Sequence, residues 1–337
     1  MNVRHKGTKA QSRKTKPPYP FVPLCLCPFD PVSWQKNQTE VTIMKSIITR
    51  RDFLKIGAAA AVGGIVGLPR TTPAEAVGKS RVILIRNKDV IDASGGIQDE
   101  VIEQMLDQAV TTLLRTPDPV SAWEQLVKPE DLIGVKSNVW YQLRTPRSLE
   151  AAIQGRLLKV GVKKENLSVD DRGVLSNPVF QRSTALINTR PMRTHDWSGL
   201  GTLIKNYIMF TPRPSDYHDN ACERLGALWH FPQVKGKTRL NVLVMLTPQF
   251  HGVGPHSFSK EYIWNYCGLI VSTDPVSADA TGATIIQKKR DAFFGTRKPI
   301  SPPLNHITAA DTLFGLGNSR PEMIEVIKLG WEQDILI

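Results

Sequence analysis

Hydrophobic positions along the chain alternate between short β-branched runs and longer stretches of helical spacing. Arg81-Val82-Ile83-Leu84-Ile85-Arg86 has the make-up of a buried strand. From Ile97 to Leu114 the apolar residues Val101, Ile102, Met105, Leu106, Ala109, Val110 and Leu113 fall on one helical stripe. Asp131–Lys136 predicts the next strand, and Pro146–Val160 a helix with proline in its first turn. Leu167–Asp170 and Thr184–Asn188 predict two further strands. Helical spacing returns at Gly199–Phe210 and at Ser215–Trp229, then gives way to the most apolar strand, Leu240–Leu246. Cys267–Val271 predicts another strand, followed by a helix to about Lys288 that Thr273 or Asp274 can cap. Beyond Ser301 the pattern predicts helices at Ala309–Phe314 and Pro321–Leu329.

Strands that alternate with helices of ten or more residues imply right-handed βαβ crossovers. The expected fold is α/β: a mostly parallel sheet with helices on both faces, Rossmann-like and three-layered, in one large domain over 77–337. Its core spans about 81–290, with a helical C-terminal part over 301–337. In such sheets ligands gather beyond the C-terminal strand ends.

The first 76 residues follow a different pattern. Residues 1–43 are basic and proline-broken, without amphipathic period, and read as a disordered or untranslated leader with Met44 as the start of the encoded product. From Met44 a basic head containing Thr49-Arg50-Arg51-Asp52-Phe53-Leu54-Lys55 precedes an apolar and small run, Ile56–Leu68, and then Ala74-Glu75-Ala76. Basic head, short apolar stretch and small-x-small site are the three parts of a secretory signal. The run of 13 residues is shorter than the roughly 20 that span a bilayer. The Arg50-Arg51 string resembles the twin-arginine signature. That resemblance implies export through the twin-arginine (Tat) translocase, cleavage after Ala76, a periplasmic or other extracytoplasmic location, and no stable transmembrane span after cleavage. It also implies translocation in the folded state, a route often used by proteins that carry a cofactor.

Charge changes the picture only once it is located. The net charge of +12 suggests a nucleic-acid partner, but residues 1–76 hold 12 Lys and Arg against 4 Asp and Glu, leaving 31 against 27 for the body. Without a basic stripe interleaved with aromatics, nucleic acid is not an expected partner. The body has two cysteines, Cys222 and Cys267, and no CxxC, so a cysteine-ligated iron–sulfur cluster within one chain is excluded. An oxidising compartment would permit a bridge between them, but two buried free thiols are the expected state.

Four segments carry candidate chemistry. Gly134-Val135-Lys136-Ser137-Asn138 leaves a strand end with a lysine and an amide that can hold an anion or orient a carbonyl. Asn188 through His195, continuing to Lys205-Asn206, supplies Arg190, Arg193, His195 and Lys205 against the single carboxylate of Asp196. Gly199 and Gly201 in that unit allow close approach, and phosphate or carboxylate binding is the natural reading. His251-Gly252-Val253-Gly254-Pro255-His256 offers two histidines that can ligate a metal or shuttle protons, although the spacing matches no fixed zinc pattern. Ser272-Thr273-Asp274-Pro275 opens a helix in which a buried Asp279 would need a partner.

Together and in this order, Gly134–Asn138, Arg193-Thr194-His195, Ile204-Lys205-Asn206, Gly252–Pro255 and Ser272–Asp279 resemble the domain of unknown function family 362 (DUF362) over roughly 81–290. Two features depart from the family pattern. Arg193 stands where the family has lysine, and Met245-Leu246-Thr247-Pro248 lacks the carboxylate often found before the Gly-x-Gly-Pro loop. The expected function is a cofactor- or metal-assisted enzyme acting on an anionic small molecule, with a periplasmic anion- or cofactor-binding protein as the alternative. His195 and Lys136 are the candidate catalytic residues. Asn138, Arg190, Arg193, Lys205, Asn206 and Gly254 are candidates for holding the anion. His251, His256 and Asp170 are candidates for a divalent metal, and Asp170 or Asp171 can orient a histidine or a cation.

Overall fold

A computed structural model describes residues 78–252 and 258–337. The leader, the signal with Arg50 and Arg51, the site after Ala76, and Gly254 and His256 lie outside the described residues.

The strands are β1 (Ser80–Arg86), β2 (Ile133–Lys136), β3 (Leu167–Asp170), β4 (Ala185–His195), β5 (Gly199–Gly201), β6 (Thr238–Gln249), β7 (Gly268–Ser272) and β8 (Ile324–Gly330). They form one mixed, mostly parallel sheet in the order β3-β2-β4-β6-β7-β1-β8, with β5 paired to β4 as a hairpin. Strands β3, β2, β4 and β6 run parallel, β7 is antiparallel to both neighbours, and β8 is parallel to β1.

Because side chains alternate across a strand, β1 serves two cores. Ile83 and Ile85 pack beneath α1 (Asp99–Leu114), α2 (Pro119–Leu126) and α3 (Arg147–Lys159). Val82 and Leu84 face α5 (Leu203–Asn206), α6 (Pro275–Phe294) and α7 (Asn305–Thr312), while the short α4 (Pro178–Arg182) packs Phe180 into a third, smaller cluster. The result is the expected three-layer α/β arrangement. The predicted stripe of α1 is buried at Ile102, Met105, Leu106, Ala109, Val110 and Leu113, and Asp99 and Glu100 in its first turn suit the helix dipole. Asp274 caps α6, its Oδ1 accepting from the Val276 and Ser277 N–H groups, and the helix stops at Gly295, whose φ is 64°. Among the described residues no helix is long and apolar enough to cross a membrane.

Three expectations are corrected. Pro321–Leu329 is a 3-10 turn followed by β8. Its Ile324 and Val326 point to one core and its Ile327 and Leu329 to the other, so a half-buried strand with apolar residues on both faces mimics helical spacing. Gly199–Phe210 is not one helix: Gly199, at φ 70°, turns the chain into β5, and the helix begins only where Thr202 Oγ1 accepts from the Lys205 N–H. Ser215–Trp229 is two 3-10 stretches separated by Asn220, Ala221 and Cys222, all in the left-handed region. Cys222 and Cys267 are buried and free.

Candidate functional site

Strand β4 does not end at Asn188 but continues to His195, which converts an expected loop into rigid scaffold. Residues 190 and 193 would ordinarily face opposite ways. A register irregularity between Pro191 and Arg193, where the pairing with β6 jumps from Val244 to Gln249, lets Arg190, Arg193 and His195 all line one cleft. The cleft measures about 450 Å³. Asn138 and Asp171 reach it from the ends of β2 and β3, Lys205 and Asn206 from α5, and Trp140, Trp197 and His218 from the intervening segments.

Asn206 is its hub. Its Nδ2 donates to Lys136 O (3.2 Å), Asn188 Oδ1 (2.9 Å) and Thr189 O (3.1 Å), and its Oδ1 accepts from Lys136 Nζ (3.4 Å) and Asn138 Nδ2 (3.3 Å). Helix α5 is itself held by Asp279, the partner that this buried carboxylate required: Oδ1 and Oδ2 accept from the Leu203 and Ile204 N–H groups at 2.8 and 2.9 Å. Burial pushes the Asp279 pKa up to about 7, against the pull of those amides.

Lys136 is fully buried and donates to Asp171 Oδ1 (2.5 Å) and Ser137 O (2.7 Å). Burial lowers its pKa to about 8, with Asp171 opposing the shift. Burial would raise Asp171, but Lys136, the Val139 N–H and Arg190 together outweigh it and hold the carboxyl below its usual value, so Asp171 and Lys136 form an ion pair at neutral pH. Asp171 Oδ2 also accepts from the Val139 N–H at 2.9 Å. The ammonium is therefore spoken for. Asp170, one residue earlier, accepts from the Gly173 N–H and from Asn177 Nδ2 and ties a turn instead of lining the cleft.

The arginines are less well served. Arg190 Nη1 donates to Thr202 O at 3.1 Å, and a Cβ on Gly201 would lie 2.5 Å from its Nη2, so only glycine admits the guanidinium here. Arg193 Nη1 donates to Asn138 Oδ1 at 3.2 Å, and its guanidinium lies 4.3 Å from the Trp140 ring centroid. Both are nearly fully buried, and the Nε of each has no hydrogen-bond partner among the described residues. Burial lowers both pKa values, that of Arg190 to about 10, yet a guanidinium keeps its proton at neutral pH.

His195 Nδ1 accepts from the Trp197 N–H at 3.3 Å, which places its ring proton on Nε2. Burial, followed by Lys205, Arg190 and Arg193, drives its pKa far down, and the imidazole is neutral. His218 stacks on Trp197 with centroids 4.0 Å apart; burial and Lys205 lower its pKa to about 4. His251 is not a cleft residue. Arg290 Nη1 lies 3.1 Å from its Nδ1, and since a guanidinium only donates, that nitrogen accepts.

Among the described residues no three His, Cys, Asp or Glu side chains are grouped as metal ligands. Asp171, the cleft's one lining carboxylate, is neutralised by Lys136, so this donor set suits an anion and not a divalent cation. Sequence reasoning missed Trp140, Trp197 and His218. The signal it could have used is the pair of polar residues inside apolar strands, Asn188 and Asn241, which bond to each other at 3.1 Å and mark the buried polar layer behind the cleft. No family model, curated protein or solved structure matches the chain.

Proposed function

We propose that the protein binds a small anionic molecule, bearing a carboxylate or phosphate, in the cleft between the ends of β2 and β4 and helix α5. The observation that carries this reading is the pair of buried guanidiniums whose Nε–H groups have no acceptor. An orphaned buried donor on a charged group costs roughly 1–3 kcal/mol or more. An oxyanion against Arg190 and Arg193 would remove that cost, and the neutral His195 would add a hydrogen bond from Nε2. Lys205 adds a further charge, while Asp171 is cancelled by Lys136.

Catalysis on the bound anion is the second reading, and the state of His195 and Lys205 supports it. A neutral imidazole and a lysine with a lowered pKa beside an anion site are acid–base equipment that simple capture does not need. In this reading the chain is an exported DUF362-like enzyme that reaches the periplasm through the twin-arginine translocase. The donor set of the cleft argues for an organic or phosphate ligand over the divalent metal expected from the histidines.

Isothermal titration with inorganic phosphate and with citrate tests the binding reading. One-to-one saturable binding that weakens as sodium chloride is raised, and that falls about tenfold or more in Arg193→Gln, is the expected result. Heats no larger in the wild type than in Arg193→Gln would refute it.

A further inference from the structure

Two buried lysines meet at this cleft, and their surroundings differ. Lys136 has a carboxylate at 2.5 Å and a carbonyl at 2.7 Å. The Nζ of Lys205, a residue 3% exposed, has a single hydrogen-bond partner among the described residues, the Cys222 sulfur at 3.4 Å, and lies 6.0 Å from the Trp197 ring centroid. Sulfur is a weak acceptor. No carboxylate among the described residues forms an ion pair with Lys205. The charged groups that act on it are Cys222, Arg190 and Arg193, and the two guanidiniums disfavour a third cation. Burial, with their help and against the Cys222 sulfur, lowers its pKa to about 8. Arg190 is fastened to Thr202, the residue that caps the helix carrying Lys205, so the amine and the anion-holding guanidinium sit on one small unit.

A desolvated amine beside fixed cations is the arrangement that activates lysine as a nucleophile towards carbonyl carbon. We propose that Lys205 forms an imine with a 2-oxo acid whose carboxylate lies against Arg190 and Arg193. The proposal rests on the anion-binding reading and adds the reacting group. The Nζ lone pair attacks C2, the carbonyl π pair moves to oxygen, and protonation there gives a carbinolamine. Loss of that hydroxyl as water leaves a protonated C=N bond. The net change is ammonium plus carbonyl to iminium plus water, with no oxidant or reductant. His195, with its proton on Nε2, is placed to hydrogen-bond the carbonyl oxygen.

The full chain, incubated with pyruvate or 2-oxoglutarate and then treated with borohydride, reports the imine as a secondary amine in peptide mass maps. Lactate binding by calorimetry reports the anion site without any carbonyl. The expected result is reduced adduct on Lys205, formed roughly a hundredfold faster than on exposed lysines at neutral pH because more of its amine is free. Excess lactate slows that labelling in the wild type, a readout that needs no variant. In Lys205→Arg the adduct is absent. Lactate binding without an adduct, or labelling spread evenly over surface lysines, overturns the imine and leaves the anion reading standing. Failure of lactate, pyruvate and 2-oxoglutarate to bind overturns the imine, and overturns the anion reading as well where phosphate and citrate also fail to bind.

Discussion

Four arginines among the described residues are buried, and they fall into two pairs. Arg86 donates from Nε to Tyr266 O and from Nη1 to Gln333 O, with its guanidinium between the rings of Tyr266 and Trp331 at 4.2 and 4.3 Å from their centroids. Arg290 donates to the carbonyls of Lys298, Phe250 and Pro299 and to His251 Nδ1. Arg190 and Arg193 are as little exposed, but among the described residues each has one acceptor and an orphaned Nε–H. The first pair fastens the molecule: Arg86 joins the residues after β8 to the start of β7, and Arg290 pins the segment after β6 to α6. The second pair is held in place with its hydrogen-bonding capacity unspent. Burial alone does not leave a cation free for a ligand; a buried guanidinium with an unspent donor has a hydrogen bond left to give.

The largest effect expected from this contrast is on the fastening side. Arg86→Met keeps much of the volume but leaves two carbonyls and two aromatic faces without their partner. Unfolding free energy should fall by about 2–4 kcal/mol, read as a lower denaturant midpoint at unchanged slope. Wild-type stability in Arg86→Met would erase the distinction between the pairs.

Arg190→Met sharpens it from the other side. This variant removes a buried charge that the fold does not satisfy, so stability should stay level or rise by about 1 kcal/mol. Phosphate affinity should drop by about ten- to a hundredfold, the worth of one charge-assisted contact. A loss of stability as large as that of Arg86→Met, with phosphate binding intact, would place Arg190 among the fasteners.

How much of this was legible in the chain follows the same division. The three-layer α/β order was readable because β1, α1, β2, α3, β6 and α6 have a period that belongs to one kind of element. Strand β8 reads as a helix because both of its faces carry apolar residues, Ile324 and Val326 on one and Ile327 and Leu329 on the other, which removes the alternation that identifies a strand. Lys136, Asn138, Arg190, Arg193, His195, Lys205 and Asn206 were all named from local clusters, and the fold brings them to one place. Their roles were less legible. Lys136 was expected to do chemistry and is instead paired with Asp171, while Lys205 was expected only to hold charge and is the lysine without a carboxylate. That exchange depends on which residue of β3's end points inward and on the irregularity in β4, neither of which leaves a mark in spacing. His251 is bonded through Nδ1 by an arginine 39 positions away, a pairing invisible along the chain.

The smallest signal lies behind the cleft. His306 is fully buried in α7, its Nε2 3.0 Å from Thr202 Oγ1 and its Nδ1 without a partner. It therefore belongs to the unsatisfied side of the comparison. Burial, reinforced by Lys205 and Arg190, lowers its pKa to about 3. The unfolded chain takes up the His306 proton near pH 6.5 and the folded chain does so only near 3, so between those values the unfolded state holds more protons. Stability is consequently lost as pH falls below about 6.5 and gains nothing from this group above it. Asp279 acts in the opposite sense: its folded pKa of about 7 lies above the unfolded value, so its contribution is present at acid pH and fades as pH rises from about 4 to 7. In His306→Gln the Asp279 trend should show through. Between about pH 4 and 6 the slope of unfolding free energy against pH should drop by up to about 1.4 kcal/mol per unit, one proton's worth. Urea titrations across that range measure it directly, and an unaltered slope would mean that His306 is already protonated in the fold.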